Sequence, residues 1–373
     1  MKRLTFVILC LEGAVLSFNV AAAAALVPAV AGDFAISQFS AGRIVWMYML
    51  PYGVAALIYG PLVRRFDAKN VELMCLFLFS LANLAAGLSH GIASLLAARF
   101  FMGVFGASVI PLGLILIARH IEPLKRGSFV GLFFGATFIG SLSGLFLSGI
   151  IHWRLIFLIP ALCGAILLPF MFFGLPSFKA DASGFKINYV AALKSKTVVK
   201  VFAYIFLVSI LYHGAQQWLG VYFSTDFGLS QFAISMLITL GSLSGIFGEV
   251  IGGRFADSLG RRKTAAVGLL VMAVSIMLVI FKSPLFVIAA LMAAWGFGWT
   301  FNHVGVSTML TDMPDELLNE AASLNSSVRF VAGGLGVALA GVLMSKSFVL
   351  GFGATGTCLL ILLVFSKKLL SAK

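Results

Sequence analysis

Gly253-Arg254-Phe255-Ala256-Asp257-Ser258-Leu259-Gly260-Arg261-Arg262-Lys263, a glycine-led basic turn between two long apolar runs, decides the fold because the chain holds it twice. The other copy, Gly60-Pro61-Leu62-Val63-Arg64-Arg65-Phe66-Asp67-Ala68-Lys69, lies 193 residues earlier, about half a chain away. A second correspondence agrees: Ile121-Glu122-Pro123 closes one apolar run and Asp312-Met313-Pro314 another, 191 residues apart. A membrane protein made of two copies of one helical half is the plan of a carrier whose halves rock about a central site. The duplication points to carriage of a solute rather than to catalysis.

Composition excludes a soluble protein. Hydrophobic residues make up 61% of the chain and charged residues 10%, against roughly 45–50% and about 25% in soluble domains. Apolar runs near or above the ~18–20 residues that cross a bilayer recur throughout. Backbone amides in lipid must be satisfied internally, so spans of this composition are helices. Strand alternation is absent, which rules against a barrel. A net charge of +13 raises the question of nucleic acid, but the basic residues sit in short turns between apolar runs, so no nucleic-acid partner is expected. Cys10, Cys75, Cys163 and Cys358 fall inside apolar runs without paired spacing, as small hydrophobes rather than disulfide or metal ligands. The apolar stretch after Lys2-Arg3 continues to about Ala31, too long for a signal peptide, and reads as a first span.

Twelve spans fit, at 4–31, 42–63, 71–90, 93–118, 127–150, 155–175, 199–223, 231–253, 264–281, 284–311, 321–345 and 348–367. They form an all-α integral membrane protein: an N-terminal six-helix bundle over 1–175, a cytoplasmic linker over 176–198 and a C-terminal six-helix bundle over 199–373. The polar stretch Pro176–Lys200, with Lys179, Lys186, Lys194, Lys196 and Lys200, separates the halves and includes an expected amphipathic surface helix. With both termini cytoplasmic, 20 of the 26 Lys and Arg residues fall inside, only Arg43, Arg154, Lys282 and Lys346 fall outside, and Arg99 and Arg329 lie within spans. That asymmetry fixes the orientation.

These residues resemble the major facilitator superfamily over essentially the whole chain. The family signature after spans two and eight reads Gly-x-x-x-Asp-Arg-x-Gly-Arg-Arg/Lys. The second copy supplies Gly253, Asp257, Gly260, Arg261 and Arg262, with Ser258 at the usual Arg. The first is degenerate, with Arg64 where the family has Asp and Asp67 where it has Gly. Arg99-Phe100-Phe101-Met102-Gly103 looks like the family's Arg-x-x-x-Gly in span four, and Trp153-Arg154-Leu155-Ile156-Phe157 like the Trp-Arg-x-x-Phe of drug and sugar exporters. Proton-driven exporters usually carry Gly-Pro in span five; here Ser141 follows Gly140. The resemblance implies two pseudo-symmetric six-helix bundles working by alternating access, and puts Arg99 at the position tied to proton coupling or substrate charge.

Ionisable groups inside spans are costly in lipid unless they face a partner or a cavity. Glu12, Arg99, Glu249 and Arg329 are the strongest of these, with His213 and His303 behind them. Glu12 and Arg99 are the expected proton-coupling pair; a structural partner of the basic helix ends is the competing role for Glu12. Asn19, seven residues from Glu12, shares its helix face. Span seven contributes Tyr212, His213, Gln216 and Gln217, and span ten Trp295, Trp299, Asn302 and His303. With Asn19, these form an expected substrate cavity of apolar rings and a few hydrogen-bonding groups; interfacial aromatics and polar glue between helices are the alternative. Gly60, Arg64, Arg65, Asp67, Glu249, Gly253, Asp257, Gly260, Arg261 and Arg262 are the expected inner gate, through carboxylate–arginine pairs that form in one state and break in the other. The competing role is a positive loop that only sets topology.

There is no phosphate-cradling Walker sequence, metal cluster or nucleophile–base arrangement, so no cofactor and no enzymatic activity are expected, and a proton gradient is the expected energy source. The sequence reads as a monomeric secondary transporter among membrane lipids, exporting a small, partly apolar molecule in exchange for protons. Two rivals stand beside it: an importer or uniporter of a small organic anion bound by Arg99, and a non-transporting sensor or assembly factor of transporter fold.

Overall fold

A computed structural model describes residues 3–177, 194–311 and 315–370, and within them all side chains except those of residues 60, 64, 118, 119, 123–128, 311 and 315–323. The linker's Lys179 and Lys186, its expected surface helix, and Asp312-Met313-Pro314 lie outside the described residues. Sixteen helices and no strand occur among them.

The first unit, 1–186, holds α1 (Arg3–Ser17), α2 (Ala22–Asp33), α3 (Gln38–Ala41), α4 (Arg43–Arg65), α5 (Ala68–Gly87), α6 (Ile92–Gly106), α7 (Val109–His120), α8 (Pro123–Leu147) and α9 (Leu155–Gly174). The second, 187–373, holds α10 (Lys196–Gln216), α11 (Leu219–Phe227), α12 (Gln231–Ser258), α13 (Arg261–Leu278), α14 (Leu285–Thr311), α15 (Asp315–Met344) and α16 (Phe348–Leu369). In the first unit α4 packs on α6, α5 on α6 and α9, and α1 on α8 and α9; in the second α14 packs on α12 and α13, α10 on α15 and α16, and α13 on α16.

Among the described residues, ten helical rods are long and apolar enough to cross a membrane, and α1 with α2, bent by 41°, makes an eleventh. The remaining expected span is α13. It has 18 residues, and Arg261, Arg262 and Lys263 occupy its first turn, so its apolar part is short even though the helix reaches about 27 Å. Large apolar side chains such as Ile139, Phe173, Phe247, Val342 and Val364 are exposed on the units, as lipid-facing surface requires.

Three spans are broken where the sequence suggested continuous helices. Span one breaks over Phe18–Ala21, span four between α6 and α7, and span seven at Gln217-Trp218. In span four the cause is local: Pro111, in the first turn of α7, has no amide to donate backwards, and Ser108 turns its hydroxyl onto Phe105 O at 2.8 Å. In span seven the Trp218 ring N–H donates to Val337 O of α15 at 2.9 Å and pins the break.

The break in span one is held by close approach. A Cβ on Gly144 of α8 would overlap the Phe18 carbonyl, and one on Gly140 would overlap the Ala14 carbonyl one turn earlier. These span-five glycines seat the bent span one whether or not proline follows Gly140. Gly144→Val is expected to cost at least the ~1–3 kcal/mol typical of overpacking, because backbone rather than a flexible side chain must move. Thermal unfolding in detergent checks this against Gly135→Ala, whose Cβ would meet nothing within 4 Å and which is expected to leave the midpoint unchanged.

Candidate functional site

Buried polar residues of the first unit collect on α1 and the break that follows it, on α5 and on α6. Arg99 of α6 is 1% exposed, and Asn19 and Asn83 are fully buried. Its Nε donates to Ile44 O at 2.8 Å and its Nη1 to Asn19 Oδ1 at 3.3 Å. Asn19 Nδ2 passes the chain on to Asn83 Oδ1 at 2.6 Å, and Asn83 Nδ2 donates to Phe79 O at 2.9 Å. The guanidinium carbon stands 4.5 Å from the Tyr48 ring centroid and 5.8 Å from that of Phe157. A buried cation is thus held by two oxygens and two aromatic rings, with no carboxylate on it among the described residues. Such cation–π contacts contribute ~2 kcal/mol where water is excluded.

Glu12 does not pair with Arg99. Its carboxyl lies beside that of Glu72 on α5, both fully buried. None of the four oxygens accepts a hydrogen bond from an N–H or O–H group among the described residues. The expected coupling pair is therefore two separate places in this structure: Arg99 on the Asn19–Asn83 rung, and Glu12 on a carboxyl rung with Glu72. Glu72 was missed in the sequence because it stands three residues after Lys69, where a span end is normally wet. Its signal was the stripe Glu72, Phe79, Asn83, at offsets of seven and eleven, which is one helix face.

The Trp-Arg-x-x-Phe stretch has a concrete role. Arg154 pairs with Asp33 at 2.9 Å and donates to Ser89 O at 2.6 Å and Gly87 O at 3.2 Å. The Trp153 ring N–H donates to the same Asp33 oxygen at 3.2 Å. The end of α2 is thereby tied to the α5–α6 link and the start of α9, and Phe157, three residues on, covers Arg99.

The two basic turns solve one problem in two ways. Asp67 and Gly260, 193 residues apart, each cap the helix that follows. Asp67 accepts from Asn70 N at 3.3 Å and also from Ser177 Oγ. Gly260 takes φ +94°, in the region that side-chain-bearing residues avoid. That is why a glycine stands in the second copy while an aspartate suffices in the first. Gly253 faces open space, and the glycine that packs closely is Gly252, against Phe301. Glu249 and Asp257 are exposed, as is Arg65; Arg261 and Arg262 are half-buried. The side chains of Gly60 and Arg64 lie outside those described.

In the second unit an aromatic wall joins α10 to α14. Tyr212 stacks on Trp299, centroids 3.8 Å apart and planes 7° from parallel, and on Trp295 at 5.2 Å and 17°. His213 meets Trp299 edge-on at 5.6 Å, and His303 stacks on it at 6.1 Å. Trp295 Nε1 donates to Gln216 Oε1 at 2.6 Å. Arg329 of α15 stands 5.8 Å from the Trp299 centroid, its Nε donating to Asn325 Oδ1 at 2.8 Å. Arg329 Nη2, His213 Nδ1 and Gln217 Oε1 are buried and have no hydrogen-bond partner among the described residues. Tyr212, His213, Gln216, Gln217, Trp299, His303 and Arg329 are all half-buried, so they form a partly open face. Asn302 differs: it is 1% exposed, and its amide donates to Tyr204 OH and, at 2.8 Å, to Ala265 O.

Two helical units, each with a buried or half-buried arginine within a span (Arg99, Arg329) and at least one broken span, define a membrane carrier. The Major Facilitator Superfamily model matches residues 9–340 and 218–371, and the chain belongs to that family. It is 27% identical to an uncharacterised MFS-type transporter, YceJ, of Bacillus subtilis, over 92% of this chain and 90% of that one. It is 24% identical to the purine ribonucleoside efflux pump NepI of Salmonella enteritidis, over 90% and 86%. The solved structure of the nucleoside transporter NupG superposes with a TM-score of 0.81 over 100% of both chains at 13% identity. The protein is a membrane transporter of this superfamily, and its relatives are transporters rather than enzymes.

Proposed function

We propose that the protein exports a small, partly apolar molecule in exchange for protons, by alternating access, as a monomer in a bacterial inner membrane with both termini in the cytoplasm. The observation that carries this reading is the Tyr212–Trp299–Trp295 stack, bordered by half-buried His213, Gln216, Gln217 and His303. Apolar plates beside a few polar groups suit a flat solute with a hydrogen-bonding rim. The relative named as a purine ribonucleoside efflux pump handles a solute of that kind. The excess of basic residues on one side supports the orientation. The basic turns, with Glu249 and Asp257, serve as the inner gate in this reading.

A second reading has one observation in its favour. Arg329 is a cation within a span whose Nη2 has no hydrogen-bond partner among the described residues, which suits an organic anion at the same face. Efflux from preloaded cells separates the two, with nucleosides, flat aromatic drugs, sugars and organic acids as the panel. Faster exit of an uncharged flat solute, abolished by a protonophore, is expected. Faster uptake of an acid, insensitive to the protonophore, would replace export with anion carriage.

A further inference from the structure

We infer that Glu12 and Glu72 hold one exchangeable proton between them, as a carboxylic acid–carboxylate pair between α1 and α5. The two side chains come from different helices, are both 0% exposed and lie against one another. None of their four oxygens receives a hydrogen bond from any described N–H or O–H group. Buried carboxyl oxygens without a donor are expensive, and a proton shared between the two carboxyls is the donor that the surroundings do not provide.

The neighbours support a proton over another occupant. On α5 the Cys75 thiol faces the pair, with the Tyr59 hydroxyl of α4 beyond it; Tyr59 itself donates to Val104 O at 2.8 Å. From α8, Phe133 and Thr137 lie on Gly13, beside Glu12, and Thr137 donates to Phe134 O of its own helix. No described lysine or arginine reaches either carboxyl. No group of three or more acidic, histidine or cysteine residues able to hold a metal occurs among the described residues. One proton needs only two oxygens. Uptake turns one carboxylate into the acid at the expense of a hydronium ion, leaving water, and release reverses this, so charge and atoms balance without another reactant.

Placement gives the pair a use. Glu12 lies on α1 seven residues before Asn19, which sits in the break of the same span one, and Asn19 accepts from Arg99. Glu72 lies eleven residues before Asn83 on α5, and Asn83 holds Asn19. The same two spans therefore carry both rungs, and a change of charge at the carboxyl rung acts on the spans that position Arg99. That coupling role rests on the proton-driven reading above; the shared proton does not.

Infrared spectra of the full-length protein in lipid vesicles, stepped through pH with choline as the salt cation, test the proton without knowledge of the solute. Interacting carboxyls titrate in two macroscopic steps. The C=O stretch of protonated carboxylic acid is expected to titrate in two steps in the intact protein. It should titrate in one step in Glu12→Gln and in Glu72→Gln, and lose the component in the double variant. Glu12→Asp, which keeps an acid there, should retain two steps at displaced midpoints, separating a shared proton from loss of fold. Independent single steps that simply add, a band untouched by both variants, or a band displaced when sodium replaces choline would overturn the assignment. Failure of solute-driven proton flux alongside an intact two-step band would instead remove the exporter reading and leave the pair standing.

Discussion

Arg99→Lys is expected to lower transport on the order of 100-fold, equivalent to about 2.7 kcal/mol at the rate-determining barrier. The lysine keeps the charge, so charge alone cannot carry the effect. What is lost is the planar fork, which reaches Ile44 O with one nitrogen and Asn19 with another while its face lies on Tyr48; an ammonium is a compact point charge and cannot do all three. Losing one charged hydrogen bond costs about 1.5–3 kcal/mol, so thermal unfolding in detergent should fall by several degrees, on the scale of ~2–4 °C per kcal/mol for a unit of this size. Full transport activity in Arg99→Lys would show that the guanidinium geometry is dispensable. Arg99→Ala should be worse in both respects, since it strands the Ile44 carbonyl and Asn19 Oδ1 away from water.

Trp299→Ala is the second large effect. Trp299 touches Tyr212, His213, His303 and Arg329, so the substitution removes the plate on which the rest of the wall is arranged. Each aromatic pair contributes about 0.5–1.5 kcal/mol beyond its buried area. A rise in KM of at least tenfold is expected for any solute the panel identifies, corresponding to about 1.4 kcal/mol. Trp299→Phe keeps a plate for Tyr212 and should restore most of the affinity. A kcat loss at unchanged KM would place the wall in the machinery of the conformational change instead. Because Trp299 is half-buried, the folded yield of both variants in detergent is the companion measurement.

Much of the fold was legible because hydropathy reports length and apolarity directly. The spans of α5, α9, α12, α14 and α16 stand within a few residues of their sequence limits. The breaks in spans one, four and seven were not read, for different reasons. Pro111 was visible in the sequence and marks its break by a local rule. The bend at Phe18–Ala21 depends on Gly140 and Gly144 in another span, which only packing reveals. Hydropathy also favoured residues deep in a span and so passed over Glu72, three positions past a lysine. Asp33, just beyond the end of the first span, was likewise missed as the partner of Arg154. In the basic turns the family pattern named the residues but not their physics. Asp67 and Gly260 looked like a mismatch between two copies; both are helix caps, one through its side chain and one through its backbone.

Proton release from the acidified lumen of everted membrane vesicles, followed by a pH-sensitive dye as the solute panel is added, tests exchange of solute against protons most directly. At least one solute should discharge an imposed proton gradient through the intact protein. Vesicles carrying Glu12→Gln, and those carrying Arg99→Ala, should leave the gradient standing. A solute that crosses through the intact protein without moving protons would contradict the exchange.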